Sequence, residues 1–326
     1  MVVQNMWMAV GMLVVGFVLL IKGADFFVEG ASSVAKQFKI PALIIGMTIV
    51  ALGTSLPELS VSVSASLRGS NALAISNVLG SNLFNLMVVL GASALIIPLA
   101  VDDDVVKKDL PFSMLAALLL LGIGAATGKI GFVAGAIFLG LFIFFIGSML
   151  RRGMTARKEG RESEAQREEE AEAEEIRILP VWLSLIFIVG GATAIKFGGD
   201  FVVDSAVFIA KFFGVSETLI GLTIVACGTS LPELATSLAA AKKNELDMAV
   251  GNAVGSNVFN LLAILGVAAV LSPVAMTMEN VIDAIVLLVS SGIVWIISKK
   301  QGKLDRKAGA LMIGLYIIYL VYICIR

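Results

Sequence analysis

Two glutamates stand where a charged side chain is hard to keep. Glu58 lies in the stretch GMTIVALGTSLPELSVS and Glu233 in GLTIVACGTSLPELATS, each about midway along an apolar run long enough to cross a bilayer. A carboxylate at that depth costs several kcal/mol on insertion scales and by default marks an ion or proton site. The neighbouring residues point the same way. Pro57 and Pro232 withhold a backbone donor and disrupt the helix one turn back, and Gly53 and Gly228 loosen the same turn. The carbonyls of 51–55 and 226–230, beginning at Ala51 and Ala226, are therefore expected to be freed. Irregular backbone at membrane depth is tolerated only where it lines protein or a polar cavity, and a cation is a partner such carbonyls accept. Protonation, or a hydrogen bond to a neighbouring helix, could hold a single glutamate. Two copies beside two broken helices favour the ion.

A second block follows each glutamate, ISNVLGSNLFNLM and then VGNAVGSNVFNLL. Ser81 and Asn85 are four residues apart and share a helical face, as do Ser256 and Asn260; these four are assigned to ion ligation. Gly80 and Gly255 allow close helix approach. For Asn77, Asn82, Asn252 and Asn257, ligation and interhelical hydrogen bonding are equally open. The ligand set is all oxygen, with no thiolate or imidazole, which suits Ca²⁺ or Na⁺ rather than Zn²⁺ or Cu⁺. Two carboxylates carry about −2, which one Ca²⁺ or two Na⁺ neutralise. Ca²⁺ together with a full set of Na⁺ would leave positive charge uncompensated, so occupancy is mutually exclusive, as exchange requires.

The elements that must position these residues are membrane helices. The chain of 326 residues is 58% hydrophobic and 15% charged, with a mean hydropathy of +0.98; soluble domains are about 45–50% apolar and about 25% charged. Ten spans are expected near 6–27, 41–67, 71–98, 110–127, 130–150, 179–203, 216–241, 247–273, 280–298 and 308–325. The N-terminal run lacks a basic region before it and a small-residue cleavage site after it, and reads as the first span rather than a cleaved signal. Residues 46–91 align without gaps on 221–266 at a constant offset of 175, with 24 of the 46 positions identical. The alignment reaches back through Asp25 and Asp200 and through Lys36 and Lys211. Each half contributes five spans, an odd number, so the halves cross the membrane in opposite directions. The expected fold is an all-α membrane protein of ten transmembrane helices in two inverted five-helix repeats, 1–150 and 179–326. This arrangement places a substrate site near the midplane, between the repeats. Between them, 151–178 forms a linker with nine glutamates from 159 to 175, read as a solvated, partly helical, partly disordered segment.

Lysine and arginine concentrate in the loops after odd-numbered spans. By the positive-inside rule those loops and the linker are cytoplasmic, both termini are extracellular, and the expected location is the plasma membrane. The chain has no histidine, and Ser55 and Ser230 have no nearby lysine or histidine to activate them, so enzymatic chemistry is not expected. Cys227 and Cys324 fall in apolar segments and read as small buried side chains. The net charge is −1. No nucleic-acid partner and no cofactor are expected. The partners are the lipid bilayer and the transported ions, and one pseudo-twofold chain suffices as a monomer.

The doubled G-T-S-L-P-E blocks, each followed by G-S-N-x-F-N, resemble the two α-repeats of the cation/Ca²⁺ exchanger superfamily, within it the prokaryotic type of Na⁺/Ca²⁺ exchanger. The resemblance covers the ten-span plan and is specific over 46–91 and 221–266; the acidic linker is not part of it. It implies that Glu58 and Glu233 bind Ca²⁺ together with the main-chain carbonyls of Thr54 and Thr229. It further implies that Ser55, Ser81, Ala226, Ser230 and Ser256 help form Na⁺ sites, and that Asn85 and Asn260 line the central position. Proton-coupled members of the superfamily differ in the residues before the glutamate, and K⁺-dependent members carry Asp where this chain has Asn260, so the resemblance implies Na⁺ coupling without K⁺. It also implies that the first and sixth spans slide past a bundle of the other eight. Ordinary small-residue packing would explain their glycines equally well. The function expected is an antiporter exchanging Na⁺ for Ca²⁺ by alternating access at one mid-membrane site, three Na⁺ per Ca²⁺ and electrogenic. An H⁺/Ca²⁺ antiporter and an uncoupled cation channel are the alternatives.

Overall fold

Among the described residues, eleven helices carry the chain through the molecule. A computed structural model describes residues 4–67, 71–159, 178–214 and 226–325. Helix α1, Met6–Phe38, starts at Asn5, whose side chain accepts the Met8 N–H at 2.8 Å, and ends where Lys39 turns left-handed. The second span is broken: α2 (Ala42–Thr54) and α3 (Leu56–Leu67) meet at 46°. Then come α4 (Ala74–Ile96), α5 (Val105–Thr127), α6 (Phe132–Thr155) and α7 (Val181–Phe212). A helical turn, Ala226–Gly228, precedes α8 (Leu231–Lys242), and α9 (Leu246–Leu271), α10 (Met278–Gln301) and α11 (Arg306–Ile325) complete the set.

Among the described residues, α1, α4, α5, α6, α7, α9, α10 and α11 are each long and apolar enough to cross a membrane, and the bent pair α2–α3 makes a ninth crossing. The turn before α8 and α8 itself form the described part of the seventh expected span; residues 216–225 lie outside the described residues. The ten-helix plan therefore stands. Its boundaries move: α1 and α7 run on to Phe38 and Phe212, past the expected ends at 27 and 203, because a helix does not need hydrocarbon to continue through Lys36 or Lys211. The sixth helix likewise continues to Glu159, into the linker; residues 160–177 of the linker lie outside the described residues.

Pairs of contacts related by the repeat establish the inversion. Strand β1 (Leu99–Ala100) pairs with β4 (Lys303–Leu304), and β2 (Lys129–Ile130) pairs with β3 (Val274–Ala275), both antiparallel. Adding 175 to β1 gives β3, and adding 174 to β2 gives β4, so the repeat spacing shortens by one residue between them. The two pairs are one contact seen from the two faces of the membrane. The long helices α1 and α7 obey the same rule. A β-carbon on Gly16 would meet the carbonyl of Gly198 at 2.9 Å, and one on Gly23 would meet that of Gly191 at 3.0 Å. As one number rises the other falls, so the helices are antiparallel, and backbone touches backbone where a side chain would stand.

Burial separates the layers. In α4 and α9 the apolar windows are 72% and 83% buried inside the protein; in α1 and α7 they are 28% and 22%. The helices carrying the Ser–Asn blocks thus form the centre, and the glycine-paired helices flank it, facing lipid on their outer sides. Gly191→Ala places a β-carbon 2.7 Å from the Gly23 carbonyl and the Phe27 nitrogen, and overpacking of this kind costs about 1–3 kcal/mol. The thermal unfolding temperature of this variant in detergent is expected to fall, whereas Gly190→Ala, with no atom within 4 Å, is expected to leave it unchanged.

Candidate cation site

The breaks in the second and seventh spans set the site. Pro57 and Pro232 stand at the first turn of α3 and α8, where a missing N–H is harmless to the new helix, but each leaves the carbonyl four residues back, Gly53 or Gly228, without its helical donor. The freed run is shorter than the sequence suggests. The Ala51 carbonyl accepts the Ser55 N–H at 3.1 Å and the Thr54 hydroxyl at 3.4 Å, and the Ser55 carbonyl accepts the Leu59 N–H at 3.1 Å. The Ala51 carbonyl is thus not freed from the helix, because hydrogen bonds re-form on either side of the break, although a carbonyl keeps a second lone pair for another partner. Ala226 opens the turn before α8.

At the break the repeats clasp each other. The Ser55 hydroxyl donates to Oε1 of Glu233 at 2.8 Å, and the Ser230 hydroxyl donates to Oε1 of Glu58 at 3.0 Å. Both glutamates and both serines are fully buried. Each carboxylate thus takes one hydrogen bond from the opposite repeat, which brings the two acids to a common place. Among the described residues no third acid joins them in a metal-binding group.

Around them the polar atoms fall into two sets. In the first, every donor has a partner. Asn252 Nδ2 reaches the Glu233 carbonyl at 3.2 Å and the hydroxyls of Thr236 and Ser237 at 3.0 and 2.9 Å, and Asn77 does the same in the other repeat with the Glu58 carbonyl at 3.4 Å and Ser62 at 3.0 Å. Asn82 donates to the Asn257 carbonyl and Asn257 to the Asn82 carbonyl, both at 3.2 Å. The Nδ2 groups of these four amides fasten helices together, while the Oδ1 atoms of Asn82 and Asn257 are buried without a hydrogen-bond partner. Thr54 also joins this set through its hydroxyl, 3.1 Å from the Val50 carbonyl and 3.2 Å from Asn252 Oδ1.

The second set has no partner. The remaining oxygens of Glu58 and Glu233, the hydroxyls of Ser81 and Ser256, and both ends of the Asn85 and Asn260 amides are buried without a hydrogen-bond partner in the protein. More than nine in ten buried polar groups are normally paired, and leaving one unpaired costs about 1–3 kcal/mol. A group of oxygens around two carboxylates fits a hard cation. Local backbone contributes: Asn85 begins a widened π-type turn, Asn85–Val89, and Asn260 lies in its counterpart, Phe259–Ile264, a distortion frequent at functional sites.

A crevice of about 550 Å³ reaches the broken helices. Pro57, Ser60, Val61, Thr229 and Pro232 line it together with α7, which contributes Lys196, Asp200 and Asp204. Sequence reasoning passed over these three. The one signal it had was Asp200 at the aligned position of Asp25.

Helices in inverted repeats, crossed carboxylates and a shell of unpaired oxygens define a membrane carrier of hard cations. The family model for the sodium/calcium exchanger protein matches residues 8–151 and 183–325, and the chain belongs to that family. It is 39% identical over 315 residues to the putative antiporter CaxA of Alkalimonas amylolytica, covering 94% of this chain and 95% of the relative. It is 29% identical over 344 residues to the sodium/calcium exchanger MaX1 of Methanosarcina acetivorans, covering 95% and 96%. Among solved structures, the sodium-calcium exchanger NCX_Mj superposes with a TM-score of 0.82 at 32% identity, covering 98% of this chain and 99% of that one.

Neutralising either acid should separate ion binding from stability. Saturating Ca²⁺ at 100 times its dissociation constant raises stability by about 2.7 kcal/mol, and this thermal shift is expected to vanish in Glu58→Gln and Glu233→Gln. Without Ca²⁺ both variants should melt no lower than the unmodified protein, since a neutral amide is easier to bury than a carboxylate.

Proposed function

We propose that the protein is a Na⁺/Ca²⁺ antiporter working by alternating access at this one site. The observation that supports it most is the unpaired set: two carboxylate oxygens, two hydroxyls and two amides, all buried and contributed symmetrically by both repeats. In this reading Ca²⁺ lies between Glu58 and Glu233 with the main-chain carbonyls of Thr54 and Thr229. Na⁺ ions use Ser55, Ser81, Ser230 and Ser256 with the same acids and the Ala226 carbonyl, and Asn85 and Asn260 complete the centre. Since one pair of acids serves both ions, binding of one expels the other. Three Na⁺ exchange for one Ca²⁺, so each cycle moves net charge. The Lys/Arg distribution supports a cytoplasmic linker and extracellular termini, read here in the plasma membrane; on that orientation the crevice beside Asp200 and Asp204 opens outward.

The test is flux in proteoliposomes loaded with Na⁺ and diluted into Na⁺-free medium with labelled Ca²⁺, beside vesicles loaded with choline, K⁺ or acid. Uptake is expected only with internal Na⁺ and is expected to rise under an inside-positive potential. Uptake driven equally by an acid interior would replace Na⁺ by H⁺ as the coupled ion, and uptake without any opposing gradient would mean a conducting pore.

A further inference from the structure

Repeat symmetry allows the two sides of the pocket to be compared residue by residue. On the crevice side Val61 and Thr229 are half-buried; their counterparts 175 positions away, Thr236 and Thr54, are buried. The route is open toward one face and shut toward the face that carries the linker. On the shut side Lys243, at the end of α8, reaches across to α1. Its Nζ donates to the Asp25 carbonyl at 2.8 Å and lies 3.6 Å from Oε2 of Glu29. On the open side the counterparts of Asp25 and Glu29 are Asp200 and Asp204, which line the crevice, and Asp200 accepts from Lys196 of its own helix at 2.7 Å. The carboxylates of Asp25 and Asp200 each pair with a lysine of their own helix, Lys22 at 3.8 Å and Lys196 at 2.7 Å, and the tie across the shut route is the one Lys243 makes with Glu29 and the Asp25 carbonyl.

We propose that Lys243 is the latch of the linker-side route: through Glu29 and the Asp25 carbonyl it holds α1 against α8, a positioning residue for exchange that never touches the ion. This rests on the alternating-access reading above. The tie is placed to act as a latch. It joins one of the two peripheral, glycine-packed helices to the broken helix that carries Glu233, so the site opens on that side only if it parts. It is also weak enough to part. The Lys243 and Glu29 side chains remain 25% and 30% exposed, and pairs of that exposure shift an equilibrium by about two- to fivefold, a modest change in which state is populated.

The experiment uses the full chain in membranes, in a Cys227→Ala, Cys324→Ala background, with either Ala235→Cys on the shut side or Ser60→Cys in the crevice, and a membrane-impermeant maleimide added without Ca²⁺. Lys243→Gln and Glu29→Gln are each expected to raise labelling at position 235 about threefold and to lower it at position 60. The swap Lys243→Glu with Glu29→Lys is expected to return both rates toward the starting values. General loosening would raise labelling at both positions, and that result, or no change at 235, overturns the latch. Ca²⁺ flux of the unsubstituted protein is measured alongside. Absent Na⁺-driven exchange with opposite labelling shifts removes the antiporter reading and leaves the latch; normal exchange with unchanged labelling does the reverse.

Discussion

An ionised carboxylate in hydrocarbon must be compensated on the spot, and here two of them share one place. Neither repeat can do this alone. The hydroxyl that reaches Glu233 belongs to Ser55, and the one that reaches Glu58 belongs to Ser230, so the acids are tolerable only when the two halves are assembled. Much of the remaining architecture serves that crossing. The prolines start new helices just before each acid, the π-type turns redirect Asn85 and Asn260, and the reciprocal Asn82–Asn257 bonds press α4 and α9 together at the centre. What hydrogen bonding leaves unpaired is a shell of buried oxygens around the two acids, which fits a hard cation.

The division between fastened and unfastened polar groups also explains how a site can be rigid and still release its ion. Asn77 and Asn252 hold the backbone of the glutamates from behind, through the Glu58 and Glu233 carbonyls. The second oxygen of each glutamate, the Ser81 and Ser256 hydroxyls and the Asn85 and Asn260 amides carry no such bonds. Binding free energy therefore goes into the ion rather than into rearranging the scaffold, which is the meaning of a preorganised site.

The glutamates, the doubled blocks and the odd number of spans per repeat were legible in the sequence, because each is a matter of residue type and spacing: a charge in an apolar run, a repeated motif, a parity. So was the pairing of Ser81 with Asn85 and of Ser256 with Asn260, which needs only helical periodicity. Other features were not legible. The roles of Asn77 and Asn82 depend on which neighbour stands opposite, and an amide in a membrane helix looks the same whether it ligates or packs. The engaged Ala51 carbonyl depends on how quickly hydrogen bonding recovers after a proline. That one side of the pocket is open and the other shut cannot be read from a near-symmetric repeat at all, since 24 identical positions favour neither side. It emerges only where the folded repeats differ, as at Thr54 and Thr229.

The strand pairs and glycine contacts carry a consequence beyond the single chain. Leu99 meets Leu304 as Val274 meets Ile130, and Gly16 meets Gly198 as Gly191 meets Gly23. Residue i of one half touches j of the other, and the counterpart of j touches the counterpart of i, which is the defining property of an isologous twofold interface. The boundary between the halves is thus built as a homodimer interface would be. A half-length polypeptide inserted into the bilayer in both orientations could restore every one of these contacts, whereas one inserted in a single orientation could make none of them. Fusion through the linker supplies both orientations in a fixed one-to-one ratio, and once the halves are joined each is free to diverge, as Lys196 facing the crevice and Ile21 at its matching position already have.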